Sequence, residues 1–215
     1  MIRVNPFHWT ADFRLARALA EAYQSSGYAD VCFFCVGDPN DLIGRLGPLV
    51  ADETIKYYPN VLGTSDRPVT PETLEERIQE LRGRWPDVFV IGIEAGFGPP
   101  QLLGSIEITD RDLTTLPPQA GRLNDVTVNV LLRVDEGLAA RAGGGTSRPR
   151  PGAPGLEEAA KEVGSDEPAA GSPFGREKFK PLRPDEIDLY KVQKLADTVI
   201  DGNLRLLSRI GKQEI

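Results

Sequence analysis

The segment Val31–Pro48, VCFFCVGDPNDLIGRLGP, and the segment Asp87–Glu94, DVFVIGIE, decide the fold. Each holds an apolar run too short for a buried helix. Such a run fits a strand covered on both faces, as in a parallel sheet. Each run then meets a Gly- and Pro-bearing polar segment, GDPNDLIGRLGP after Val36 and EAGFGPP after Ile93. The only two cysteines, Cys32 and Cys35, have CxxC spacing but lie inside the first run. Residues three apart on a strand point to opposite faces, which argues against a redox pair or a zinc half-site.

Outward from these runs, the pattern alternates between helix and strand. Residues 11–26 place Phe13, Ala16, Leu19, Ala20 and Tyr23 on one helical face, and Gly27 stops the helix. Residues 49–58 read as a helix and 60–63 as a short strand. Thr70 is placed to cap a helix over 71–84, with Pro71 at its first position. Residues 104–109 and 125–133 alternate as half-buried strands. From Pro184 to about Arg209 runs an amphipathic helix with Leu189, Val192, Leu195, Ala196, Val199, Ile200 and Leu204 as its stripe. Buried strands alternating with helices predict an α/β three-layer αβα sandwich with a mostly parallel, mixed central sheet. The expected organisation is one α/β domain, residues 1–138 and 181–215. Between these lies 139–180, a Gly/Pro/Ala-rich insert read as disordered, because it carries too little apolar surface to offset its ordering entropy.

Composition narrows the function classes. The chain has 215 residues, 40% hydrophobic and 27% charged, with a formal net charge of −7. An acidic surface repels phosphate, so nucleic acid and anionic membranes are not expected partners. Two cysteines exclude a disulfide scaffold and suit a cytoplasmic setting. The longest apolar run is far short of the ~20 residues that span a bilayer, and the N-terminus shows no hydrophobic signal core.

In such sheets the functional loops leave the C-terminal strand ends. The loop after Val36 carries Gly37, Asp38, Asp41, Gly44, Arg45, Gly47 and Pro48. It matches neither a Walker loop nor a GxGxxG fingerprint. Asp38 or Asp41 either caps the next helix or stands as a carboxylate at a strand tip. The second loop starts at Glu94. A half-desolvated carboxylate there suits general acid–base work or metal binding; otherwise it caps the turn or pairs with Arg45. Gly96 and Gly98 shape the turn behind it. The single histidine, His8 beside Trp9, reads as a surface or packing residue, and a Ser-His-Asp triad would rest on it alone.

Gly37, the run Leu46–Val50 (LGPLV), Val90–Ala95 (VIGIEA), Gly104–Thr109 followed by Leu116-Pro117-Pro118, and Leu195–Gly202 (LADTVIDG) together resemble the YyaC-like sporulation protein family, DUF1256. That family is related to the spore germination protease and to the hydrogenase maturation proteases. The resemblance implies a fold of that type and an ancestral site of two acids. The second acid falls on Glu94 and the first on Gly44, which has no side chain. The nickel-binding histidine of the maturation proteases has no counterpart here.

The expected function is thus a sporulation-associated, spore-protease-related protein in the mother cell or forespore. If it is an active peptidase, Glu94 with Asp41 or Asp38 activates water, and the backbone at Gly96 and Gly98 supplies oxyanion donors. The alternative is a non-catalytic peptide- or protein-binding module on the same fold, with Gly37, Gly44, Arg45, Gly47, Pro48, Gly96 and Gly98 shaping its cleft. No cofactor is expected. A divalent metal among Asp38, Asp41 and Glu94 would be needed for a third reading, a phosphate binder, since the loop lacks Lys.

Overall fold

The computed structural model describes residues 1–114, 123–135 and 179–212. Six strands form one sheet: β1 (Ile2–Val4), β2 (Val31–Cys35), β3 (Val61–Leu62), β4 (Phe89–Gly98), β5 (Ile106–Thr109) and β6 (Val126–Val134). Their order is β1-β5-β6-β4-β2-β3. The ladders β3–β2, β2–β4 and β4–β6 are parallel, whereas β5 runs antiparallel to both β6 and β1. Among the described residues, four α-helices accompany them: α1 (Ala11–Ser26), α2 (Leu46–Thr54), α3 (Leu74–Arg84) and α4 (Leu189–Arg209).

The strand alternation divides the core in two. Val31, Phe33, Cys35, Ile91, Ile93, Val128 and Val130 face the layer of α1, α2 and α4, in one apolar cluster. Cys32, Phe34, Leu62 and Val90 face α3 through Leu74, Ile78 and Leu81. The two thiols therefore lie on opposite faces, as their spacing requires. Both are free, and burial pushes both well above the usual thiol range. Among the described residues, α3 is the one α-helix on its side. It covers the β3–β2–β4 half of that face; the β6–β5 half carries polar side chains.

Local chemistry moves several boundaries away from the sequence expectations. β4 does not end at Glu94 but continues to Gly98, because β6 supplies ladder partners from Ile91 to Gly98, with a register shift between Gly96 and Phe97. Helix α2 begins at Leu46, earlier than expected, with Pro48 in its first turn where no amide is required. α3 begins at Leu74 rather than 71, since Thr70–Thr73 form a turn in which the Thr73 hydroxyl donates to the Pro68 carbonyl at 2.7 Å. Pro184–Glu186 is a separate 3₁₀ turn. Asp188 caps α4, accepting from the Lys191 amide at 2.8 Å. Leu189 is exposed rather than part of the buried stripe. β1 was not foreseen; it is three residues long and, among the described residues, pairs only with β5. Residues Leu116-Pro117-Pro118, and the insert 139–180 apart from its last two residues, lie outside the described residues.

Candidate functional site

The chain leaves β2 at Val36, whose amide donates to the Ile93 carbonyl at 2.8 Å. Two glycines allow the turn that follows. A Cβ on Gly37 would stand 1.8 Å from the Gly44 carbonyl oxygen, and one on Gly47 would stand 2.2 Å from that of Val36. Neither separation is sterically possible, so both positions demand glycine. Arg45 braces the loop, with Nη2 donating to the Pro39 carbonyl at 3.1 Å.

The two aspartates are held in different ways. Asp38 Oδ1 accepts from the Asn40 amide at 2.8 Å and from Asn40 Nδ2 at 3.1 Å, an Asx turn. Asp41 Oδ2 accepts from the Gly44 amide at 2.7 Å and from Arg133 Nη2 at 2.6 Å. Its carboxylate fills the space over Gly44, where a Cβ would lie 2.9 Å from Oδ2. Arg133 also lies over the Phe97 ring, 5.7 Å from its centroid. Asp38, Asp41 and Arg133 line a cavity of about 260 Å³ at the strand tips, with Gly37, Thr70 and Ala95 among the other walls. This is the crevice at the C-terminal strand ends expected of an open α/β sheet.

β2 and β4 differ in length here. The last β2–β4 pair is Cys35–Ile93, whereas β4 runs on to Gly98 against β6. Among the described residues, Ala95–Gly98 thus have a ladder neighbour on one side only. The Ile93 carbonyl points toward β2, so by alternation the backbone polar groups of Ala95 and Phe97 point to the side β2 has vacated. Ala95 is itself a wall of the cavity.

Glu94 is fully buried, and its Oε1 accepts from the Thr114 amide and from the Thr114 hydroxyl, each at 2.8 Å. The sequence suggested a turn cap or an Arg45 partner; the observed donor is instead Thr114, twenty residues downstream. Glu94 lines a second, larger cavity of about 510 Å³, which Asp38 and Asp41 do not line. Among the described residues, no three His, Cys, Asp or Glu side chains come together in a group able to hold a metal ion. Gly96 and Gly98 are strand rather than loop residues, with the side chains of Asn129 and Leu131 lying over them. His8 makes a local contact, its Nδ1 2.8 Å from the Thr10 hydroxyl.

Sequence reasoning missed Arg133 and Asn129. Arg133 sits at the end of a strand whose alternation was legible, and its role emerges only from the fold. Asn129 carried a signal: an amide at a strand centre is unusual and calls for a partner.

Comparison with known proteins gives three findings. The model of a family described as "Protein of unknown function (DUF1256)" matches residues 6–127, more than half of the chain. Among curated proteins, none matches. Among solved structures, the [NiFe] hydrogenase maturation protease HycI from Thermococcus kodakarensis KOD1 is similar at 18% identity and a TM-score of 0.37, covering 58% of this chain and 91% of that one.

Proposed function

We propose that this chain, which belongs to the DUF1256 family, is a peptide-binding protein whose cleft at the strand tips holds an extended segment without hydrolysing it. The observation that carries the reading is the overhang of β4. Ala95–Gly98 present one open ladder side beside a cavity, and an extended peptide can add there as a strand in the place β2 leaves. Main-chain pairing of this kind gives affinity, while adjacent cavities sort side chains.

The carboxylates favour binding over cleavage. A general acid–base pair needs both groups within reach of one water. Asp41 is engaged by Arg133 and the Gly44 amide, Asp38 by Asn40, and Glu94 by Thr114, in a different cavity. Asp41 does bring a carboxylate to the space over Gly44, where the resemblance puts the first family acid. With Arg133 upon it, that carboxylate suits holding the loop. The resemblance further supports a sporulation setting, in the mother cell or forespore, and a peptide or protein partner. No described helix is long and apolar enough to cross a membrane.

The test uses a random-sequence peptide pool on the immobilised full chain, with retained and cleaved products read by mass spectrometry. The wild type retains intact peptides, Glu94→Gln retains a similar set, and Thr70→Trp, which fills the strand-tip cavity, releases them. Cleavage by the wild type that Glu94→Gln abolishes would establish the peptidase reading instead.

A further inference from the structure

The strand-tip cavity combines apolar walls with polar walls that are already engaged. Val36, Val69, Pro71 and Ala95 supply the apolar part. Val36, Val69 and Ala95 are buried, whereas Pro71 is exposed at the edge. Backbone bonds hold these walls in place. Val36 bridges Val69 in parallel, the Gly37 amide donates to the Val69 carbonyl at 2.9 Å, and the Val36 amide donates to the Ile93 carbonyl. A pocket built this way exists before its ligand arrives, so little ordering of the protein opposes binding.

The polar walls answer to each other and to the loop. Asp41 pairs with Arg133, Asp38 accepts from Asn40, and the Thr70 hydroxyl donates to the Glu72 carboxylate. Among the described residues, no wall of this cavity carries a buried polar atom that lacks a partner. Nothing buried here therefore calls for a polar ligand group, and such a group would lose its water on entering. Asp38 is exposed, so solvent screens its attraction for a cation. That attraction is smaller than the gain from burying a leucine-sized side chain. Size points the same way. A dry apolar cavity of about 150 Å³ holds one benzene ring. At about 260 Å³ this one takes a single large side chain but not two rings.

We propose that this cavity selects the bound segment by one large apolar side chain, leucine above all. The inference rests on the peptide-binding reading and names the residue that the segment must present. Ala95 joins the two features, being a wall of the cavity and the first residue on the open ladder side of β4. A segment laid against β4 from Ala95 onward therefore begins at the cavity wall, and one of its side chains enters. Asp38 turns acidic side chains away, and a lysine gains no buried partner to offset its lost water.

The test titrates the full chain with a threonine pentapeptide, acetylated and amidated, whose central residue is leucine, alanine, lysine or aspartate. Binding is followed by NMR at the amides of Gly37, Gly44 and Ala95. The leucine peptide binds at least about tenfold more tightly than the alanine peptide, from burial of the larger side chain. The lysine and aspartate peptides bind no better than alanine. Thr70→Trp, which fills the cavity, removes the leucine preference. Should that variant fail to fold, Pro71→Asp at the exposed edge lowers the leucine preference and raises lysine above alanine. Equal binding of the leucine and alanine peptides, a wild-type preference for lysine or aspartate, or no binding of any of the four would overturn the proposal. So would a leucine preference unchanged in folded Thr70→Trp. Equal binding with the Ala95 and Phe97 amides protected from exchange would remove the pocket and leave strand addition standing. A leucine preference without that protection would remove strand addition and leave the pocket.

Discussion

The two faces of β4 and β6 are built from the same strands to different ends. On one, Ile91, Ile93, Val128 and Val130 are fully buried beneath three helices. On the other, Gly92 lies under Leu113, while Glu94 of β4 lies beside Thr127 and Asn129 of β6 and lines a cavity with them. The first face makes the fold stable. The second carries buried polar groups, which close packing alone would not select. A strand's alternation thus places apolar packing on one face and buried polar groups on the other.

That contrast can be broken by substitution. The largest effect belongs to the apolar face: Ile93→Ala should cost about 2–5 kcal/mol in urea unfolding, from lost transfer free energy and the cavity left behind. Next, Gly47→Ala sets a methyl against the Val36 carbonyl and should cost about 1–3 kcal/mol, from forced backbone movement. On the polar face, Asn129→Leu should change stability by less than about 1 kcal/mol in either direction, because it removes an unsatisfied acceptor while it alters packing. A loss as large as that of Ile93→Ala would mean that the two faces are equally structural.

The smallest effect concerns α3, which charge ties down as well as apolar contact. Glu80 is partly buried, which raises its pKa, but hydrogen bonds from Arg84 and Arg77 and the nearby Arg67 charge outweigh this and hold it below the usual carboxylate value. A carboxylate lowered in the folded state contributes stability above its unfolded pKa and loses it as pH falls through the folded value. Acid titration of the folded chain should therefore weaken α3 below about pH 5. Glu80→Gln should flatten that limb, by the modest amount such partly exposed pairs contribute. An unchanged acid limb in Glu80→Gln would show that apolar contacts alone anchor α3.

Much of this architecture was readable from the residues. The runs VCFFCV and VFVIGI announced buried parallel strands, the helix stripe from Val192 to Ile200 announced its partner layer, and the resemblance picked out Glu94 and the loop after Val36. The missed features share a cause. β1 is three residues long and exists only because β5 offers an edge. The extension of β4 through AGFG has weak strand propensity and is set by its β6 neighbour. The placement of Asp41 over Gly44 and the cross-strand pairing of Arg3, Glu107, Asn129 and Glu94 in one row come from register across elements far apart in sequence, which local periodicity does not encode.

In the proposed function, peptide adds along the open side of β4. The most direct measurement is amide hydrogen exchange at Ala95 and Phe97, resolved by NMR, with and without the retained peptide pool. These two amides should gain protection when peptide binds, while those of Ile91 and Ile93, already inside the β2–β4 ladder, should not change. Peptide retained with Ala95 and Phe97 exchanging as before would contradict the proposed function.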